Sequence, residues 1–208
     1  MTGHLSERVE DVIAPFRAPR EQVGITTEFR STWLTASLDG LRERGYFDRY
    51  LANLPREHHD AIVHSIAGVW LPAAVCVAHY KACDALGLST ADQIANGRAV
   101  FARLQKTIFS VGFRAAREAG VTPWNVLKVL PAVFHREWRG GGCGIFKMGP
   151  KDARIELIGF PCAAIPYARI ALRGVAMAMC ELVCEKAYAQ DIRYLCTETS
   201  IGYRVAWA

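Results

Sequence analysis

From residue 55 onward, apolar positions recur every three or four residues, the spacing of one helical face. Pro55, followed by Arg56, Glu57 and His58, predicts a helix running to about Trp70. Pro72 starts another, since proline is tolerated in a first helical turn, and Gly87 ends it. Ser89 with Asp92 three residues later predicts a capping arrangement. The helix behind it carries Ile94, Val100, Phe101, Leu104, Ile108, Val111 and Phe113 and runs to Gly120. Thr122 and Pro123 open a further helix, kinked or broken at Pro131 and stopped by Gly140, Gly141 and Gly142. Ahead of all these, FRSTWLTASLDGLRERGYFDRYLANL fits either a small strand near 29 to 36 or a helix.

The last third changes period. CGIFKM and ARIELIGF flank the turn GPKD, and Ile155, Leu157 and Phe160 alternate with polar residues in a mostly period-two pattern. A long helix is predicted over about 163 to 188, and DIRYLCTE and IGYRVAWA close the chain as two short strands. The fold class is therefore α+β: a helical layer packed on one small antiparallel sheet built from a strand–strand–helix–strand–strand unit. Residues 1 to 25 read as an arm with a short helix at 5 to 13, broken by Pro15 and Pro19. Residues 26 to 208 read as a single ligand-binding type of domain.

Composition narrows the class. Hydrophobic residues make up 51% of 208 and charged residues 22%, enough for a full core and too apolar for a disordered chain. The net charge of +5 comes from dispersed residues, which excludes a clustered nucleic-acid patch. The longest apolar stretch, IAGVWLPAAVCVAHY, is interrupted by Pro72 and His79 and is too short to span a bilayer. No secretory leader is expected, and unpaired cysteines fit a cytoplasmic protein with reduced thiols.

Three constellations could carry chemistry. Cys180 and Cys184 stand four apart, as two metal ligands on a helix would. Turning that helix puts Ala168, Ala171, Leu172, Val175, Ala178, Met179 and Leu182 on one stripe facing the sheet. The two cysteines then lie on the other side near Arg169 and Arg173, as flank or dimer-interface residues. Cys76, His79 and Cys83 share a second helical face with Val75, Ala82 and Leu86. There His79 reads as a hydrogen-bonded core histidine, a polar anchor for a bound apolar ligand, or a metal or haem ligand. Trp70, Tyr80, Phe109, Phe113 and Trp124 lie on the predicted helical layer. They would serve as core or, with His79, as walls of a cavity. No GxSxG, HExxH, GxGxxG or P-loop pattern is present. An enzyme would need a titratable cluster such as His79 or His135 with Cys143.

GGGCGIFKMGPKDARIELIGFP, PYARIALRG and the terminal YRVAW resemble an uncharacterised bacterial family with many myxobacterial paralogues. That family is similar to the four-vinyl-reductase sensor domain of phenol-responsive activators, to TRAPP vesicle-tethering subunits and to haem–nitric oxide binding domains. The resemblance covers roughly residues 60 to 208. It implies a dimeric sensor with an apolar cavity between sheet and helices. Zinc and haem are the two cofactors it raises. Cys162 and Cys196 stand near two expected zinc positions, whereas Ile201, Gly202 and Tyr203 occupy the place of a further cysteine. Tyr167 and Arg169 match part of a haem-binding tyrosine–serine–arginine signature without its serine.

The combined expectation is a small-molecule sensor that binds an apolar or aromatic ligand through His79, Trp70, Tyr80, Phe109, Phe113 and Trp124. It would act as a homodimer through a regulatory partner protein, with no nucleic acid and no membrane span, and neither a catalytic residue nor a metal ligand is assigned. The alternatives are an enzyme on the same scaffold, acting on a tetrapyrrole- or polyketide-like substrate, and a non-catalytic interaction subunit.

Overall fold

The computed structural model describes residues 11–108 and 120–208, with the side chains of 106–108 left undescribed. Its largest sheet has the order β1-β5-β6-β8-β7, with every neighbouring pair antiparallel. The strands are β1 (Asp11–Ala14), β5 (Gly142–Gly149), β6 (Asp152–Ile158), β7 (Ala187–Asp191) and β8 (Ser200–Trp207). Central β6 is paired on both sides and reads as a nearly continuous buried run. Its inward residues Ile155 and Leu157 therefore become a floor for whatever packs above.

The turn chemistry works as expected at several points. Ser89 Oγ accepts from the Asp92 amide at 3.1 Å and donates to its carboxylate at 2.6 Å, opening α5 (Thr90–Ile108). Replacing Ser89 with Ala leaves that amide unpaired and should cost about 1 kcal/mol. Urea unfolding measures it, and an unchanged midpoint would show that the cap contributes nothing. Thr122 and Asn125 form the capping box of α6 (Pro123–Glu137). Pro131 is buried inside α6 and the helix runs through it, so the expected break does not occur. Packing of that face against the sheet outweighs the hydrogen bond the proline removes.

Four expectations are corrected. The ambiguous stretch near 29 to 36 is both things in turn: strand β2 (Glu28–Arg30), then α1 (Ser31–Glu43). The helix expected from Pro55 to Trp70 is a 3-10 turn at Arg56–His58 and the short α3 (His59–Val63), after α2 (Phe47–Asn53). Gly68 then turns the chain with φ +89°, and β3 (Trp70–Pro72) pairs with β2. Ser31 Oγ locks the approach, donating to the Ile66 carbonyl and accepting from the Val69 amide at 3.0 Å. With β4 (Trp138–Arg139) on the other edge of β2, this makes a second, three-stranded sheet that local periodicity could not announce. Of the short helix expected at 5 to 13, residues 11–13 instead belong to β1, and 5–10 lie outside the described residues.

The last correction concerns the helix expected over 163 to 188. It is α7 (Pro166–Cys180), and its end releases the chain into β7, while 193–195 of the predicted strand DIRYLCTE form a 3-10 turn. Both sides of α7 are covered. Val175 and Met179 cluster with Phe101 and Val126 from the helical layer. Ala176, Met177 and Cys180 belong to the main core. Cys180 is fully buried, not a flank or interface residue, because β7 returns alongside the helix. Burial pushes its thiol up to about 12. Helices α5 and α7 meet almost backbone to backbone at Gly97 and Gly174. Arg98 donates to Glu181 at 3.0 Å across that seam. Among the described residues, no helix is long and apolar enough to cross a membrane.

Candidate functional site

The space between α1, α5, α6, α7 and the sheet is not completely filled. A partly open void of about 70 Å³ lies there. Trp33 comes from α1, Phe101 and Leu104 from α5, and Leu130, Val133 and Phe134 from α6. Leu172, Val175, Ala176 and Met179 of α7 face Ile155 and Leu157 of β6, with Trp138, Phe160 and Tyr203 closing the ends. The void persists because α7 is held by α5 on one side and by β7 and β8 on the other. Tyr203 Oη donates to the Arg169 carbonyl at 2.8 Å and Arg173 Nε to the Ala189 carbonyl at 3.1 Å. These bonds hold the helix above Ile155 and Leu157.

A second void of about 20 Å³ adjoins the first, sharing Trp33, Leu172 and Val175 with it. Its walls are more polar: Ser37, Tyr80, Asn96 and Tyr167 contribute. Behind it lies α4 (Ala73–Asp84), which carries His79. Both ring nitrogens of His79 are engaged, Nδ1 with Tyr50 Oη at 2.9 Å and Nε2 with Ser37 Oγ at 3.0 Å. Burial lowers its pKa to about 3, so the ring is neutral at pH 7. Burial likewise raises the Tyr50, Tyr80, Tyr167 and Cys83 pKa values, so this cluster is uncharged throughout.

The six residues expected to bind ligand are thus dispersed. Tyr80 walls the smaller void, and His79 stands one hydrogen bond behind it through Ser37. Trp70 lies in β3 with the Arg30 and Arg139 guanidinium groups 4.4 and 4.2 Å from its ring centre, and it is not among the walls. Trp124 donates to the Pro150 carbonyl at 3.1 Å and meets Trp207 edge-on, also apart from either void. Phe109 and Phe113 lie outside the described residues. Trp33 and Asn96 were missed. Trp33 sat in the stretch where strand and helix could not be separated, and Asn96 is one of many polar residues on its helix, with nothing in the sequence to mark it as buried.

The cysteines do not converge as metal ligands. Cys76 Sγ faces Cys162 Sγ at 3.6 Å, while Cys83 Sγ lies 3.7 Å from His79 Nε2. Among the described residues no group of three His, Cys, Asp or Glu side chains could hold a metal ion.

No known family profile matches the chain. No curated protein matches it either. Solved structures do. The Fe(II) unliganded H-NOX protein from K. algicida superposes with a TM-score of 0.61 at 9% identity, over 86% of this chain and 96% of that one. An oxygen-binding H-NOX domain related to soluble guanylate cyclases gives 0.55 at 9% identity, over 85% and 94%. The T. tengcongensis H-NOX protein gives 0.54 at 10% identity, over 85% and 96%. The fold is H-NOX-like.

The described residues do not fit the haem that this fold implies. An apolar cavity of about 150 Å³ holds benzene, and the larger void here is half that, far too small for a porphyrin. Its walls contain no histidine, cysteine, arginine or lysine to ligate iron or neutralise propionates. The Tyr203 hydroxyl is committed to Arg169. His79, whose counterpart in a haem protein would need a free nitrogen, has none.

Proposed function

We propose that this chain is a small-molecule sensor domain that binds an apolar ligand in the void between α7 and the helical layer. The supporting observation is that void: a partly open space walled by fifteen of the described residues, of which only Tyr203 titrates, in a fold otherwise packed tightly enough for glycine backbones to meet backbone. Empty apolar space costs stability, so a fold that keeps it beside a preformed opening gains by filling it. The protein would act as a cytoplasmic homodimer and signal through a partner protein. That output is what the resemblance of GGGCGIFKMGPKDARIELIGFP, PYARIALRG and YRVAW to a family similar to such sensor domains implies. The enzyme reading is weaker, because the groups it requires do not line the void: His135 packs edge-on against Phe134, and Cys143 is buried in β5 with its pKa raised by burial.

Two measurements test the proposal. Native mass spectrometry of untagged protein should show a dimer carrying a small organic molecule, or a dimer that takes up n-pentane on addition. Replacing Ala176 with Leu puts three carbons into the void. It should abolish pentane uptake while leaving the melting temperature unchanged or raised, because filling existing space restores contacts. Pentane binding that survives Ala176→Leu would place the ligand elsewhere. No binding by wild-type protein would refute the sensor reading.

A further inference from the structure

We propose that the ligand is a small aliphatic alcohol. Its chain would fill the apolar void and its hydroxyl would sit in the smaller void between Trp33 and Asn96. This rests on the larger void being a binding site, and it adds the ligand's chemical class.

Two of the residues walling the smaller void each carry a buried polar atom without a partner. Trp33 Nε1 is a donor and Asn96 Oδ1 an acceptor, both shielded from solvent and both unpaired. Asn96 is 7% exposed, and its Nδ2 donates to Tyr167 Oη at 3.1 Å, which sets the amide so that its oxygen is the free end. Of the remaining polar walls, Ser37 is engaged by His79 and the Tyr167 hydroxyl by Asn96, while Tyr80 stands alongside them. Buried donors and acceptors are almost always paired, so one unpaired atom of each kind beside one small void calls for a group supplying the opposite of each.

A hydroxyl does this with a single heavy atom. It accepts from Trp33 and donates to Asn96. The void of about 20 Å³ suits a group the size of one water molecule. A primary amide or carboxylic acid needs room for two heavy atoms. A carboxylate or ammonium would enter without a counter-charge, since neither void is lined by Arg, Lys, Asp or Glu. A ketone or ether could satisfy Trp33 and would leave Asn96 unpaired. Because Trp33, Leu172 and Val175 wall both voids, one molecule can occupy them together. At half the volume of a benzene-holding cavity, the space limits the carbon chain to a few atoms.

The test uses the full chain and three probes of similar size: 1-butanol, its isomer methyl propyl ether, and n-pentane, with affinities from calorimetry or ligand-observed NMR. 1-Butanol should bind at least about tenfold more tightly than the ether, which cannot donate to Asn96. Because Trp33 also walls the apolar void, the readout is a ratio: Trp33→Phe should lower the affinity of 1-butanol relative to pentane by about tenfold, whatever it does to pentane itself. If the ether matches 1-butanol in wild-type protein, the hydroxyl subsite is refuted while pentane binding keeps the sensor reading intact. The same holds if Trp33→Phe changes all three probes equally, since the small void then holds only a structural water. If none of the probes binds, both readings fall together. The wild-type comparison needs no variant, so a poorly folding Trp33→Phe protein does not shield the proposal.

Discussion

Gly97→Ala should destabilise the protein by about 3 kcal/mol, although alanine is the better helix former. Helix propensity alone favours the substitution by about 1 kcal/mol. Against it stands geometry: a Cβ at residue 97 would lie 1.8 Å from the Ala171 carbonyl oxygen, a backbone atom that cannot swing away. The matching contact sits at Gly174, whose Cβ would lie 2.2 Å from the Ile94 carbonyl oxygen. Relief requires α5 and α7 to separate, which strips packing along the whole seam, and overpacking of this kind costs 1–3 kcal/mol or more. Gly40 provides the control. It lies in α1, and its nearest neighbour is the end of the Arg103 side chain at 3.6 Å, so Gly40→Ala should be neutral or stabilising by up to about 1 kcal/mol. Urea unfolding of the three proteins decides it. If Gly97→Ala behaves like Gly40→Ala, the helices are not in contact at this seam. Ligand affinity should fall with stability at Gly97, because Phe101, Leu104, Leu172 and Val175 wall the void from these same two helices.

The second large effect is acid sensitivity from His79. In the unfolded chain its pKa is about 6.5. In the folded protein burial lowers it to about 3. Between those values the unfolded state carries a proton that the folded state refuses, so stability falls as pH falls from about 6.5 to 3 and is level above and below. At 1.36 kcal/mol per pKa unit the whole window is worth on the order of 5 kcal/mol. His79→Leu should remove that slope. At pH 7.5 it should also cost about 2–4 kcal/mol, because Tyr50 and Ser37 lose their partner inside the core. Carboxylates such as Glu137, whose pKa burial raises, add their own pH dependence with the opposite sign. They are common to both proteins, so the difference between the two curves isolates the histidine. Parallel curves for wild-type and His79→Leu protein between pH 7 and 4.5 would mean that the ring is not buried as described.

Much of the helical layer was legible because its signals are local. Pro72, Gly87, the Ser89–Asp92 pair and the Thr122–Pro123 start each act within one turn of chain, and the structure uses all four. The GPKD turn and its flanking strands belong to the same class. The boundaries that shifted depend on distant partners. Trp70–Pro72 reads as the end of a helix until β2 lies beside it, and β7 begins where α7 stops only because Ala187 to Asp191 have Trp207 to Tyr203 to pair with.

The candidate site divides along the same line. Helical spacing correctly grouped Cys76, His79 and Cys83 on a buried face, and residue type favoured a core role for His79 while leaving an anchor or a metal ligand open. Periodicity says which residues share a face and not what that face meets. The partners Tyr50 and Ser37, 29 and 42 residues away in sequence, turned His79 into a saturated core group. Of the stripe expected on α7, Leu182 lies beyond the helix end, and the face that looks across the void at β6 also packs on the helical layer. Val175 and Met179 turn to Phe101 and Val126, and Cys180 is covered from the other side.

By itself, then, the sequence determined the α+β class, most helix starts and stops, and a core rich in aromatic side chains, because propensity, capping and hydrophobic period act over a few neighbouring residues. Only the tertiary structure decided where those aromatics leave space and which polar atoms face it. A void is a property of how several elements fail to meet. Trp33 and Asn96, 63 residues apart, become one site only when α1 and α5 are brought against α7.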